Sequence, residues 1–323
     1  MINVCYSSSD SYARIMAVSI CSLLENNKKE FINIFVLDNG ISDENKNKIN
    51  IMVSKYNCLL KFVDITMFKN KTTHIKINDR WNFATFGRLF VSELLPDIDK
   101  IIHIDCDTII LKSIASLRET DITNKAVAGV EDCLSPLYRK CLKKEKNAIL
   151  YNAGILLMNL KFIRDNDIER KFLEKINTSS RLLYLDQDII NGVINEDDKI
   201  LLHPRFNAYS LLFYSDYKEI IYLRNSKKYY SEKEICEAIN NPTIVHFTTS
   251  NFDVGRPWNT NNNHPYRQEF LKYLSLTSFA NIKMNDCNVN LKTKMFRKMP
   301  RKICVIISRT FNAKLKPIIY KNK

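Results

Sequence analysis

The run IIHIDCDTIILK, residues 101–112, is apolar enough to be buried, yet it carries two carboxylates, Asp105 and Asp107, at its centre. An unpaired ionised carboxylate is costly in a dry interior, and two held close together repel unless a cation or a donor compensates them. With a strand period of two, both side chains are expected on one face at the end of a buried strand, where they could share one hard divalent cation. A plainer alternative has Asp107 beginning a turn and Asp105 meeting backbone donors. Spacing alone decides nothing, because Asp-x-Asp also occurs at Asp97/Asp99, Asp165/Asp167 and Asp186/Asp188. The first two of these lie in polar surroundings, where Asp is an ordinary turn or cap residue.

His246, in TIVHF, stands near the end of another apolar strand, read as lying at the same edge of the sheet. It is either a satisfied edge histidine or a third ligand. Two carboxylates and one imidazole would suit manganese or magnesium, and the absence of a thiolate ligand argues against zinc. Asp186 and Gln187, in LDQDIIN, sit where a loop enters an amphipathic helix. Asp186 is thus either an N-cap or, with Gln187, part of a polar pair facing a cleft.

The elements that must position these groups alternate. Apolar strand-like runs occur at 2–6, 32–38, 59–65, 100–105, 126–130, 154–160 and 243–247, with helical periods between them. Helices are expected from Tyr12 to Asn26, after a Ser42 cap, and from Phe83 to Leu95 before Pro96. This alternation predicts an α/β domain with a largely parallel sheet, whose ligands bind beyond the carboxyl ends of the strands. Residues 205–240, polar and rich in tyrosine, are ambiguous.

The chain is 323 residues long, and its net charge of +14 is concentrated in a tail: residues 283–323 carry twelve Lys or Arg against Asp286 alone. Cations interleaved there with Met, Phe, Ile and Val predict a basic amphipathic helix on an anionic bilayer surface, rather than a nucleic-acid groove. The expected division is 1–275 for the catalytic domain and 276–323 for the membrane-associating tail. No run approaches the ~18 apolar residues of a spanning helix. No secretory leader is visible, and nine cysteines without a C-x-x-C pair suit reduced thiols. The expected location is cytoplasmic, peripheral on the inner face of the membrane.

Eight segments in order, NVCYSSSDSYARIMAVSICSLLENN, FATFGRLFVSELLP, IIHIDCDTIIL, GVEDC, YNAGILLMNL, LDQDIINGVI, VHF and GRPW, resemble glycosyltransferase family 8 across residues 2 to about 258. The resemblance implies a GT-A fold: a Rossmann-like, mixed but mainly parallel sheet flanked by helices. It implies a retaining α-glycosyltransferase that uses a UDP-sugar, galactose before glucose, and a surface-glycan or glycolipid acceptor. Ser7, Ser8, Ser9, Tyr12, Asp105, Cys106 and Arg256 would then bind the nucleotide, and Asp105, Asp107 and His246 the manganese. Arg88, Asn152, Asp132, Asp186 and Gln187 would hold the donor sugar, with Gln187 and Asp186 at the reacting centre. Ser9 and Ser11 depart from the family's usual acidic residue and Asn, and Asp10 falls one place later. Thr249 replaces a glycine, and Arg256 replaces a diphosphate-binding Lys.

Two other classes compete. A metal-dependent phosphohydrolase or nucleotidyltransferase would also use paired aspartates, but the P-loop pattern is absent. A non-catalytic surface-binding protein would make the basic tail its working part.

Overall fold

The computed structural model describes residues 1–68, 83–179, 182–226, 229–249, 256–260, 262–281, 295–296 and 298–321. Residues 283–294 at the start of the basic tail, and 250–255 within HFTTSNFDVGRPW, lie outside these described residues.

Seven strands form the main sheet: β1 Ile2–Ser8, β2 Ile32–Asp38, β3 Cys58–Asp64, β4 Lys100–Ile104, β6 Val127–Glu131, β7 Tyr151–Asn159 and β8 Lys199–Leu201. Their order is β3-β2-β1-β4-β7-β6-β8. All neighbours are parallel except β7, which runs antiparallel to both β4 and β6. β1 is buried at most positions and helix Ala13–Asn26 returns the chain over one face, a crossover that parallel pairing requires. Ser42, extended at ψ 150°, accepts from Asn45 N at 3.4 Å and caps helix Asp43–Val53 as expected. One apolar layer joins the helices 13–26, 43–53 and 267–275 to the sheet, and a second joins residues 83–95 and the helices from Leu160 to Val193 to its other face.

Three local expectations change. The strand expected across 100–105 ends at Ile104; Asp105–Asp107 reverse the chain into β5 Thr108–Ile110, which joins a second sheet in the order β5-β10-β9. β10 Ile244–His246 therefore lies in that small sheet with β9 Ala208–Tyr209, antiparallel to β5, and not at the edge of the main one. Residues Phe83–Phe90 form 3-10 turns, and only Val91–Leu94 is α-helical. The ambiguous 205–240 stretch folds mainly as helices Tyr217–Arg224 and Glu232–Asn240, the second opened by a Ser231/Glu234 capping box.

Helix Arg301–Arg309 continues through a π-helical turn, Thr310–Leu315, into helix Lys316–Lys321. It lies back on the protein: Cys304, Val305, Ser308 and Ala313 are buried, and Arg301 pairs with Glu219 at 2.6 Å. Arg309 stacks on Tyr222. Phe279 is buried in the core on the tail side of residue 275. No helix among the described residues is long and apolar enough to cross a membrane.

Candidate active site

A cleft opens beyond the carboxyl ends of β1 and β4, where the reversal at Asp105–Asp107 meets the end of β10. Three hydrogen bonds fix this reversal, two of them between backbone groups. Asp105 N donates to Gly154 O at 2.8 Å, Thr108 Oγ1 donates to Asp105 O at 2.9 Å, and Phe247 N donates to Asp107 O at 2.8 Å. The two carboxylates thus converge because of a turn clamped between two sheets, and not because of strand alternation.

His246 completes the cluster. Its Nε2 lies 3.2 Å from Asp107 Oδ1 and 3.6 Å from Asp105 Oδ2, and one ligand atom from each residue falls within 4.8 Å of the others. The opposite carboxylate oxygens are held elsewhere: Asp105 Oδ1 by Arg88 at 2.5 Å and Asp107 Oδ2 by Arg256 at 2.5 Å. Burial pushes Asp105 above the usual carboxylate range against the pull of Arg88. Burial would raise Asp107 too, but His246 and Arg256 outweigh it and hold that carboxyl well below its ordinary value.

Asn207 settles the histidine tautomer. Its Nδ2 donates to Asn152 Oδ1 at 2.9 Å, which leaves its Oδ1 to accept from His246 Nδ1–H at 2.9 Å. In the neutral ring that a metal ligand requires, Nε2 then presents a lone pair toward two carboxylates, where a divalent cation would replace the proton of the charged ring. These residues fit a divalent metal. Cys106 does not join them, since its Sγ contacts Ser7 O at 3.2 Å and burial pushes the thiol far above its ordinary value.

Opposite the cluster, Arg88 is buried and occupied by the protein: NH1 donates to Ala153 O and NH2 to Asp105. Its Nε lies 2.9 Å from Asp186 Oδ2, yet the angle is poor and both atoms are buried without a hydrogen-bond partner, so the contact is ionic. Asp186 is not the N-cap; Leu185 is, at φ 51° and ψ −118°, a strained setting for a bulky residue. The turn is held by Asp188, whose Oδ2 accepts from the backbone of Leu183 and Tyr184. Burial pushes the Asp186 carboxyl up to about 7 despite Arg88. Gln187 is pinned at both ends, its Oε1 by Ala153 N at 3.2 Å and its Nε2 by Asp132 Oδ2 at 3.2 Å.

β6 and β7 shift register between Gly129 and Val130, and this irregularity turns Asn152, Ala153 and Gly154 toward the cleft. Ser7, Ser8, Ser9 and Tyr12 line the other side, with the Tyr12 ring edge-on to Trp258 at 6.3 Å and Arg256 over the Trp258 ring at 5.4 Å. Asp10 is turned away, accepting from Ser42 N and Asn45 Nδ2 at 2.8 Å each. All fourteen site residues expected from the sequence therefore lie in or beside one cleft; Asp132 borders it through Gln187. Asn207 and Gly154 had no assigned role. The first sits in the ambiguous stretch, while a glycine inside an apolar strand is itself a sign of close approach.

The model of the family described as Glycosyl transferase family 8 matches residues 3–262. General stress protein A of Bacillus subtilis is 29% identical over 279 residues, 84% of this chain and 93% of its own length. The lipopolysaccharide 1,2-glucosyltransferase of Escherichia coli is 23% identical over 288 residues, 87% and 80% of the two chains. Among solved structures, the galactosyltransferase LgtC in complex with donor and acceptor sugar analogues superposes with a TM-score of 0.73 at 20% identity, covering 91% of this chain and 99% of that one, which bears out the GT-A fold. The chain belongs to glycosyl transferase family 8, and its activity is glycosyl transfer.

Proposed function

We propose that the chain moves a hexose, galactose before glucose, from a UDP-sugar to a surface-glycan or lipid-linked saccharide, with retention at the anomeric carbon. The observation that carries this reading is the convergence of Asp105, Asp107 and His246 in the cleft that also holds Ser7–Ser9, Arg256 and the Asp186–Gln187 pair. Asp105, Asp107 and His246 would hold manganese, or magnesium in its place, which supplies Lewis-acid stabilisation of a departing diphosphate.

The chain's own residues do the rest. Arg256 adds a fixed positive charge on the diphosphate side, with a wider fork than a lysine. Tyr12 and the serines at the end of β1 flank the uridine. Asn152 Oδ1 is filled by Asn207 and Gly154 N, so its amide hydrogens remain for sugar hydroxyls. Arg88 acts as a positioning residue between Asp105 and Asp186, and Asp132 orients Gln187. Asp186 is buried and held by Arg88, which disfavours it as a nucleophile. Same-face substitution follows: the bond from the anomeric carbon to the phosphate oxygen breaks, the acceptor hydroxyl oxygen bonds to that carbon, and its proton passes to the leaving phosphate oxygen.

The domain division at 275/276 and the peripheral membrane location belong to the same reading. The helix from Arg301 turns Ile303, Ile306, Ile307 and Phe311 outward, each at least 43% exposed, among Lys and Arg side chains. That surface suits the inner, anionic face of a cytoplasmic membrane. Release of UDP from a panel of UDP-sugars, with and without manganese and candidate saccharides, tests the assignment. Release is expected from UDP-galactose or UDP-glucose and only with the metal. No release from any donor would refute it.

A further inference from the structure

A second pocket of about 220 Å³ adjoins the donor cleft, and Asn152, Tyr184 and Gln187 line both. It compares with about 350 Å³ for the donor cleft, which leaves room for a sugar ring beside the donor. Its far walls come from two elements outside the donor cleft. Arg224 ends helix Tyr217–Arg224, and Ser308 and Asn312 project from the tail helix packed against it.

Arg224 makes no hydrogen bond or ion pair with any of the described residues, although it is largely enclosed. None of its nitrogens is sealed from solvent, so water meets these five donors in the free protein and a bound oxyanion would take that water's place. Asp132, the acid in the lining, is bonded to Gln187 and lies beyond ion-pair distance of Arg224, though near enough to favour its charge. Lys316 Nζ lies 4.0 Å from the centre of the Tyr184 ring and adds a second cation beside the pocket. Asn312 donates its amide to Ser308 O at 3.0 Å, so its Oδ1 is left for a hydroxyl.

We infer that Arg224, on the far wall of this pocket, selects an acceptor saccharide bearing an anionic substituent, a phosphate or a carboxylate. The inference rests on the donor reading given above, and it assigns the tail helix a part in acceptor recognition. Planar, forked recognition of an oxyanion is what arginine supplies better than lysine. A neutral sugar would offer Arg224 only the uncharged acceptors that water already supplies.

Calorimetry on the full chain with UDP and magnesium tests this, using methyl β-galactoside, its 6-phosphate and methyl β-galacturonate as probes, with inorganic phosphate as a separate arm. Both anionic sugars should bind at least about tenfold more tightly than the neutral one, the scale of one charge-assisted hydrogen bond. Arg224→Gln should bring that ratio close to one, and Arg224→Lys should retain part of it. Asn312→Asp, which leaves Arg224 in place, should weaken the anionic sugars selectively by facing them with a like charge. Equal affinity of charged and neutral sugars for the native protein would overturn the inference, as would a preference that survives in Arg224→Gln. Inorganic phosphate binding as tightly as the sugar phosphate would also overturn it, by making the pocket a bare anion site. UDP release by the native protein reads the donor site separately, so failure there and failure here are distinguishable.

Discussion

Asn207 Oδ1 accepts from His246 Nδ1 at 2.9 Å and thereby turns the histidine's free nitrogen toward Asp105 and Asp107. Asn207 is fully buried and touches no reacting group, so its effect is transmitted through the imidazole and through Asn152, whose Oδ1 accepts from its Nδ2, and saturating UDP-sugar isolates the first route. Removing such a partner typically lowers metal affinity by about 10–100-fold. Asn207→Ala should therefore shift the manganese dependence of UDP release by that factor with little change in rate at saturating metal. Asn207→Asp, which keeps the acceptor, should recover most of the affinity. A manganese titration followed by UDP release decides it, and an unshifted midpoint in Asn207→Ala would remove the tautomer argument.

Gly154 touches the same ring from the other side. A Cβ placed there would sit 2.2 Å from His246 Cε1 and 2.5 Å from its Nδ1, closer than any real contact. Gly154→Ala must displace the imidazole, and a misplacement of this size costs about 100-fold in rate. Gly192 provides the comparison, since a Cβ there would meet only Lys175 Cε at 3.6 Å within helix Asp186–Val193. Gly192→Ala should keep full activity and gain about 0.5–1 kcal/mol in chemical denaturation. If both variants behaved alike, the steric account would be wrong.

These two residues also mark where reading the sequence stops. The strands, the Ser42 cap and the ordered motifs were legible because burial and periodicity are written into neighbouring residues. The placement of Asp105 and Asp107 was anticipated for the wrong reason: strand alternation was expected, whereas the chain reverses at Ile104 and two backbone bonds from other elements clamp the turn. That clamp joins residues about 50 and 140 positions apart, a relation no local pattern carries. Asn207 and Arg224 fall in a stretch whose helices are set by packing on the second sheet, so their roles could not be read from spacing. Arg88 was legible as a site residue, but its engagement by Asp105, Asp186 and Ala153 was not.

Asp186 makes a pH-dependent claim. Its folded value of about 7 lies above the value near 4 expected in an unfolded chain. Below about pH 4 both states are protonated and no difference arises. As pH rises, the unfolded chain gives up the proton first, so the folded protein loses stability until pH passes about 7 and stays lower beyond it. The loss is at most about 4 kcal/mol. Asp186→Asn lacks this step and should be more stable than the native protein at pH 8, nearly equal at pH 4, and severely impaired in transfer. Urea denaturation across that range, with chelator present, measures the difference. A gap that does not widen between pH 4 and 7 would contradict the assigned cause, which is burial of the carboxylate.

Membrane attachment can be separated from acceptor recognition, although both use the tail helix. Deleting residues 283–323 would remove the outward apolar face together with Ser308 and Asn312 in the pocket wall, and so would confuse the two. Ile307 and Phe311 are 43% and 48% exposed and lie one turn apart on the face away from Cys304 and Ser308. Each contributes about 1.5 kcal/mol or more once its side chain enters a lipid interface. Ile307→Glu with Phe311→Glu should therefore weaken binding to phosphatidylglycerol-containing vesicles by about 100-fold or more, while the melting temperature and UDP release from soluble donor stay unchanged. Binding by the native protein should also fall as salt is raised, because the Lys and Arg side chains around the patch contribute through a screened attraction. Vesicle flotation reads both effects, and a double variant that floats as the native protein does would show that this face is not the membrane contact.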